Sequence, residues 1–229
     1  MSIFLKFRLF LKKSPTLYPL LKRSIGSGGT LTSKSTDLCI EGYPSSANSY
    51  TYHLFKCLMP ELNLSHHAHS YANIKIALNN GIPSIVLIRH PLECISSRMV
   101  RFNDSLRAST LEYIDFYTNV DIDIESKNLI LIDFNEIIYS TEECINKFSS
   151  FINLKLPNQL NFDQLNDCAK SRMEKAQLKN GKKMDNISLP SEQRSTLKRN
   201  IKNQLIALEE YKEAEQLYNR LSNRSILKR

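Results

Sequence analysis

The chain has 229 residues, a length typical of one domain with short appendages. Its 41% hydrophobic and 24% charged residues indicate a soluble globular protein, and no apolar run is long enough to span a bilayer. The net charge of +8 is unevenly placed: residues 1–37 hold seven Lys/Arg and one acid, residues 38–169 nine and fifteen, and residues 170–229 fifteen and seven. Basic flanks suit a polyanionic ligand or an anionic membrane. Without a helix-turn-helix, RNP aromatics or zinc-finger spacing, we expect no nucleic-acid partner.

The cysteine pattern favours a reducing compartment. Five cysteines are scattered along the chain, an odd number without metal-ligand spacing: Cys39, Cys57, Cys94, Cys144 and Cys168. Such thiols are typically reduced, so we expect a cytoplasmic protein.

Residues 1–36 are predicted to be a basic N-terminal segment and linker. Residues 1–25 alternate bulky apolar and basic residues, which predicts a helix that docks on the domain and breaks near Pro15. The same pattern is also typical of a segment lying on an anionic membrane, or of a mitochondrial-type presequence. Residues 26–35 (GSGGTLTSKS) have the composition of a flexible linker.

The central motif runs from Asp37 to Phe55. A short apolar run predicts a buried strand, a turn around Gly42 follows, and Ser46 to Ser49 open a helix. The first N–H groups of a helix have no intrahelical partner and lie at the positive end of its dipole. This strand, loop and helix therefore predict an anion site, although it has no Gly-Lys-Ser/Thr and is not a Walker A loop.

Three histidines, His66, His67 and His69, follow in the segment LNLSHHAHS. Alternation along a strand places only His67 and His69 on one face, and no Cys, Asp or Glu adjoins them, so we expect no metal site. One reading is a polar, solvent-facing strand end. The other is a general base at the carboxyl end of a strand, where open α/β sheets place their sites.

A second anion site is predicted after the strand Ser84 to Ile88. Arg89 ends this apolar run, Pro91 suits the first turn of the next helix, and Ser97 lies two turns further on. The alternative for Arg89 is a surface ion pair. A charge that closes an apolar strand is the better candidate for a site.

The remaining patterns predict a doubly wound domain over residues 37–222, in which residues 162–222 form a helical C-terminal part. The order β-α-β-α-β-α-α-β-α predicts a three-layer α/β fold with a parallel sheet flanked by helices. Further elements are expected at these positions: helices 71–79, 109–120, 141–151, 162–179 and 205–221, and a strand at 128–133. The last eight residues are expected to fray.

Two of these motifs resemble the cofactor motifs of sulfotransferases, which have a P-loop-like fold. Residues 41–50 (EGYPSSANSY) resemble the 5′-phosphosulfate loop, commonly G-x-P-R/K-S-G/A-T/N-T, and residues 86–97 (VLIRHPLECISS) resemble the 3′-phosphate motif, a strand followed by R-x-P and a serine eight residues after the arginine. Residues 128–136 look like the third family element. The resemblance covers residues 37–152 and extends loosely into the C-terminal part.

The resemblance implies transfer of a sulfuryl group from 3′-phosphoadenosine 5′-phosphosulfate (PAPS) to an acceptor hydroxyl or amine, without a metal. The motifs do not identify the acceptor, which we expect to be a small molecule or saccharide. The resemblance also implies that His69, or as second choice His67, is the base. The residues implied to hold PAPS are Ser45, Ser46, Ala47, Asn48 and Ser49 at the 5′ end, Arg89 and Ser97 at the 3′-phosphate, and Gly181 and Lys182 over that phosphate.

One position departs from the family pattern, because Ser45 stands where the family loop has Lys or Arg. We expect Lys182, Lys183 or another cation to replace it. Two alternatives stay open: a nucleotide or sugar kinase of related fold, and a non-catalytic nucleotide-binding or membrane-peripheral protein that kept the fold. The missing Gly-Lys-Ser/Thr and the lack of a Mg²⁺ carboxylate pair argue against the kinase.

Overall fold

The protein is described by a computed structural model that covers residues 3–25, 29–102, 104–157, 159–179 and 192–228. Within those ranges the strands are β1 (Leu38–Gly42), β2 (Leu64–His66), β3 (Ser84–Ile88) and β4 (Leu129–Asp133). The helices there are α1 (Ile3–Lys13), α2 (Leu17–Ile25), α3 (Asn48–Leu58), α4 (Tyr71–Asn79), α5 (Pro91–Phe102), α6 (Leu106–Ile122), α7 (Phe134–Tyr139), α8 (Thr141–Phe151), α9 (Phe162–Lys179), α10 (Glu192–Ile206) and α11 (Tyr211–Ser222). No helix in the described ranges combines the length and apolar character needed to cross a membrane.

The centre of the fold is a four-stranded, all-parallel sheet in the order β2-β1-β3-β4. Ile40 of β1 pairs with His66 on one side and with Ile85 on the other. Because the strands are parallel, their carboxyl ends meet at one edge of the sheet, where ligand sites of open α/β sheets lie. This edge therefore brings together the ends of the two predicted anion motifs and the histidine segment.

Helices cover both faces of the sheet, so the predicted three-layer α/β fold is confirmed. β1, β3 and β4 are buried at every position, as expected for parallel strands with two covered faces. On the face of the sheet that carries Leu87, the side chains pack against α3, α8 and α9. On the opposite face, which carries Val86, they pack against α4, α5, α6 and α11. Each buried aliphatic side chain contributes about 1.5–3 kcal/mol of transfer free energy.

The N-terminal segment packs against the domain more extensively than its composition suggests. α1 and α2 are separated at Pro15, as predicted. Residues 26–28 lie outside the described part, but Thr30 forms an antiparallel bridge with His66, and the Thr32 hydroxyl lies 2.7 Å from the Ser65 hydroxyl in a buried position. Backbone and hydroxyl pairing with β2 thus orders a stretch that composition alone assigns to a linker.

Two expectations for the C-terminal part are wrong. The predicted helix 205–221 is divided between α10 and α11, and the intervening turn lets Leu208 as well as Leu205 contact the core. The described terminal residues, up to Lys228, do not fray, because the Ile226 N–H donates to Leu131 O at 2.8 Å and the Ile226 side chain is buried. This segment is therefore held against β4.

The expectation of five reduced thiols is also wrong. Cys57 of α3 and Cys168 of α9 form a disulfide, whereas Cys39, Cys94 and Cys144 are free and buried. Both partners lie on helices that pack against each other, so tertiary contact, not sequence spacing, brings them together. Disulfides are typical of oxidising compartments, and this bond weighs against a cytosol-like environment.

The Cys57→Ser/Cys168→Ser variant should be less stable than the wild type. The bond joins residues separated by 111 positions. Closing a loop of that order contributes about 4–5 kcal/mol to the free energy of unfolding in the chain-entropy model. Guanidinium unfolding with and without dithiothreitol tests this: the reductant should lower the wild-type midpoint and leave the variant unchanged. Five titratable thiols in denatured, unreduced wild type would contradict the assignment.

Candidate active site

The loop between β1 and α3 has an unusual backbone conformation. Ser45 has φ 71° and Ala47 has φ 72°, both in the left-handed region that side chains with a Cβ rarely adopt. His67 and His69 on the neighbouring segment have φ 57° and 48°. Of the five described non-glycine residues with positive φ, four thus lie at this edge of the sheet. Such conformations concentrate at ligand-binding and catalytic sites.

Several buried polar atoms of the loop and the start of α3 lack a partner. Among the described residues, Ser45 Oγ, Asn48 Oδ1 and Thr51 Oγ1 are buried without a hydrogen bond. The Asn48 amide nitrogen donates to Tyr43 O at 3.0 Å, which holds the side chain across the turn. Buried polar atoms are normally paired, so their concentration here points to a polar ligand.

Gly42 is required by the close approach of backbones at the start of the loop. A Cβ at this position would lie 2.7 Å from Leu87 O and 3.0 Å from Asn48 Oδ1. The turn can therefore lie directly against the end of β3. This contact sets the distance between the loop and the segment that begins with Arg89.

A buried carboxylate connects the loop strand to the histidine segment. Glu41 of β1 is fully buried and accepts hydrogen bonds from the N–H groups of Ala68 (2.9 Å) and His69 (2.8 Å) and from the side chain of Asn73 (2.8 Å). Burial raises the pKa of Glu41 to about 7, and the three donors oppose that rise. The carboxyl group fixes the left-handed turn on which the histidines stand.

His69 has the geometry of a general base. Its Nδ1 lies 2.8 Å from Gly42 O, and because a carbonyl only accepts, Nδ1 carries the proton and Nε2 carries the lone pair. Burial, with the neighbouring His67, lowers the pKa of His69 to about 3, so the ring is neutral at physiological pH. Gly42 is also the residue at which the loop before α3 begins, so His69 is held at the start of that loop.

His67 contacts the start of α3. Its Nε2 is 2.9 Å from the Ser49 hydroxyl, and its ring centre is 5.6 Å from that of His69. The strand ends at His66, so the two rings meet through the left-handed turn and not through strand alternation. The two histidines therefore have different partners: His67 contacts the loop serine, and His69 contacts the strand end.

A cavity of about 10 Å³ adjoins His69. This is near the space of one water molecule. Its lining is partly aromatic and partly charged, and it includes Leu9, Lys12, Tyr43, Tyr71, Glu112 and Phe116. Since Leu9 and Lys12 belong to α1, the N-terminal helix forms one wall of the space beside His69.

Arg89 lies against the first loop. Its guanidinium donates to Ser45 O at 2.7 Å and covers the Phe134 ring at 3.7 Å from the centroid. Burial lowers the pKa of Arg89, but a guanidinium titrates so high that it keeps its charge. A cation is therefore present at the loop position where Ser45 itself supplies none.

The other predicted anion ligands are placed differently. Ser97 is half-buried in α5, and its hydroxyl forms no hydrogen bond with a described residue. Gly181 and Lys182 lie outside the described residues, as does Lys183. Two further lysines, Lys198 and Lys202 of α10, form ion pairs with Glu93 in the first turn of α5.

Sequence reasoning missed two features of the site. The role of Glu41 could have been predicted, because a carboxylate within an apolar strand requires buried hydrogen-bond donors. The same reasoning singled out Arg89 as a charge at the end of an apolar strand. The left-handed turns at Ser45, Ala47, His67 and His69 carry no such signal, since these residue types seldom adopt that conformation without tertiary support.

No family model and no curated protein matches the chain. Among solved structures, mouse sulfotransferase SULT7A1 complexed with PAP is similar to it, with a TM-score of 0.43 and 12% sequence identity over 62% of this chain and 64% of that chain. The chain thus spans less than two thirds of that protein's length. At this TM-score and identity the similarity by itself assigns neither family nor activity.

The Glu41→Gln substitution should lower the free energy of unfolding. Glutamine keeps one acceptor oxygen, so one of the N–H groups of Ala68 and His69 loses its partner in a buried position. Leaving a buried donor unpaired costs roughly 1–3 kcal/mol of unfolding free energy. Urea unfolding measures this, with the exposed Glu143→Gln as the matched control. Equal stability of the two variants would show that Glu41 does not hold the turn.

Proposed function

We propose that this protein is a PAPS-dependent sulfotransferase, in which the loop 45–49 and Arg89 bind the donor and His69 accepts a proton from the hydroxyl or amine of the acceptor. The resemblance of residues 41–50 and 86–97 to sulfotransferase motifs supports the donor. The observation that carries the proposal is the contact of His69 Nδ1 with Gly42 O, because it leaves Nε2 as the nitrogen with the lone pair beside the residue at which the loop begins.

The donor's 5′ end would be held by the loop and the start of α3. The N-terminal N–H groups of a helix, together with unpaired polar atoms such as Ser45 Oγ, are suited to phosphate and sulfate oxygens. Ser49 is positioned by His67, and Ser46 is buried 3.4 Å from the Tyr117 hydroxyl. These contacts keep the loop preorganised, which lowers the entropy lost on binding.

We infer that Arg89, which the sequence resemblance assigns to the 3′-phosphate, instead replaces the missing Lys or Arg of the loop. It already contacts the backbone of Ser45, the position at which the family pattern has a cation. Its guanidinium would neutralise charge on the leaving phosphate, and such electrostatic stabilisation is commonly the largest catalytic contribution. Lys198 and Lys202 of α10 pair with Glu93 of α5, the helix that follows Arg89, and add positive charge there. They are the described alternatives to Lys182.

The proposed reaction is an in-line displacement. The acceptor oxygen attacks sulfur, the bond between sulfur and the bridging phosphate oxygen breaks, and 3′-phosphoadenosine 5′-phosphate (PAP) leaves. The acceptor proton passes to His69 Nε2. PAPS supplies the activated sulfuryl group, while the chain's own residues orient it, stabilise the leaving charge and remove the proton.

We infer that the acceptor is a small molecule or saccharide, as expected from the sequence, and that it approaches His69 where Leu9 and Lys12 of α1 line the neighbouring cavity. In the described part of the chain no cluster of three His, Cys, Asp or Glu is arranged to hold a metal ion, and the expectation of a metal-free reaction stays a prediction. The cytoplasmic expectation is not carried forward, because of the Cys57–Cys168 bond.

The wild-type protein should bind PAP in the micromolar range, and Arg89→Ala should weaken that binding by about tenfold or more, since a charge-assisted contact contributes roughly 1.5–3 kcal/mol. Isothermal titration calorimetry measures both. Arg220→Ala, whose side chain pairs with Asp121, is the matched control and should bind like the wild type. ATP with Mg²⁺ is the competing ligand: tighter binding of ATP than of PAP would favour the kinase alternative.

Substitution of the two histidines should have different kinetic effects. We expect His69→Ala to lower kcat by about 10²–10⁴-fold with little change in PAP affinity, the usual contribution of a general base. We expect His67→Ala to raise the KM for PAPS more than it lowers kcat, because His67 positions Ser49. Labelled PAPS with an acceptor panel provides the assay. Equal effects on kcat would contradict His69 as base.

The pH dependence of the wild type tests the state of the same residue. Because burial lowers the pKa of His69 to about 3, the base stays neutral as pH falls below its ordinary value of 6.5. The acid limb of kcat/KM should therefore lie well below pH 6, at pH values where the protein is still folded by circular dichroism. An acid limb near 6.5 that His69→Ala abolishes would show that the ring titrates normally.

A further inference from the structure

The N-terminal helices carry an exposed apolar surface. Of thirteen exposed large hydrophobic residues in the described ranges, seven lie in α1 and α2. Four belong to α1 and are 51–87% exposed: Ile3, Phe4, Phe7 and Phe10. The other three, Leu17, Leu20 and Leu21, belong to α2, which contacts α1. An exposed cluster of this kind in a soluble domain marks an interaction surface.

The opposite side of α1 is fastened to the domain. Leu5 and Leu9 are buried, and Arg8 and Lys12 both form ion pairs with the buried Glu112 of α6. Lys13 lies 3.6 Å from Asp115 on the same helix. The aromatic residues therefore face outward because the inward side is already occupied, and not because α1 is detached.

Cations border the apolar surface. In α1, Lys6 and Lys13 are exposed at positions beside the Phe7 and Phe10 stripe, and Arg23 is exposed in α2. Lys6 and Arg23 have no ion-pair partner among the described residues. No Asp or Glu occurs in residues 1–36. A short helix with phenylalanines on one side and lysines at its border has the character of an interfacial membrane helix.

We propose that the surface formed by the outward residues of α1 and α2 docks on an anionic lipid bilayer. The charge argues for lipid over a second copy of the chain, because an isologous dimer would bring these cations to face one another. A bilayer with anionic headgroups accepts the aromatic rings and attracts the lysines at once. α1 has 11 residues, about 16 Å of helix, which is too short to span and suits an in-plane orientation. This docking does not depend on sulfuryl transfer.

Vesicle flotation of the full chain tests the proposal. Wild type should float with phosphatidylcholine vesicles containing about 30% phosphatidylserine, should bind pure phosphatidylcholine vesicles at least about tenfold more weakly, and should be released by about 0.5 M NaCl. Phe7→Ser/Phe10→Ser should reduce binding at least about tenfold. Phe102→Ser/Ile122→Ser removes comparably exposed residues from α5 and α6 and should leave binding unchanged.

A charge variant gives a second test if the phenylalanine variant fails to fold. Lys6→Glu should weaken binding to the anionic vesicles, and the exposed Lys127→Glu should not. Three results would overturn the proposal: no flotation of folded wild type, equal flotation of the two double variants, or a wild-type dimer in light scattering that Phe7→Ser/Phe10→Ser dissociates without any vesicle binding. PAP calorimetry on the same variants tests donor binding independently of vesicle binding, so either proposal can fail without the other.

Discussion

The buried carboxylate of Glu41 is the interaction on which the candidate site depends. A charged group in the middle of a parallel sheet is costly unless donors surround it, and this one receives two backbone N–H groups and the Asn73 amide. Asn73 in turn accepts the N–H of Thr32 at 2.8 Å. One carboxyl group thereby joins β1, the turn after β2, α4 and the N-terminal segment, and it converts that turn into a rigid support for His69.

Contacts on both sides of this edge of the sheet maintain the left-handed backbone of the loop 45–49 and of the histidine segment. Left-handed conformations at residues with a Cβ cost free energy and persist only when the surroundings determine them. On the histidine side, Glu41 and Gly42 O hold the turn; on the loop side, Arg89 binds Ser45 O and Asn48 spans the turn to Tyr43 O. The resulting edge holds the loop 45–49, the Arg89 guanidinium and the neutral His69 ring in fixed relation, which is the arrangement that the proposed sulfuryl transfer uses.

The two proposals involve opposite sides of helix α1 and do not share a mechanism. Its inner residues Leu9 and Lys12 form a wall of the small cavity next to His69, while its outer phenylalanines form the surface proposed to meet lipid. Glu112 holds the helix in place by pairing with Arg8 and Lys12, and it also pairs with Arg98 at 2.8 Å. The basic charge of the N-terminal segment is thus partly neutralised by the acidic core, and the remaining exposed cations define its outer side.

The sequence by itself determined the parallel three-layer fold, the strand, loop and helix after Asp37, and Arg89 at the end of β3, because apolar periodicity, proline and small residues act locally. It also placed His67 and His69 at the end of a strand. Only the tertiary structure decided that His69 donates to Gly42, that Arg89 contacts the loop, that Cys57 meets Cys168, and that Ile226 returns to β4. Each of these contacts joins residues distant along the chain, and their geometry depends on how the helices pack on the sheet, which local patterns do not encode.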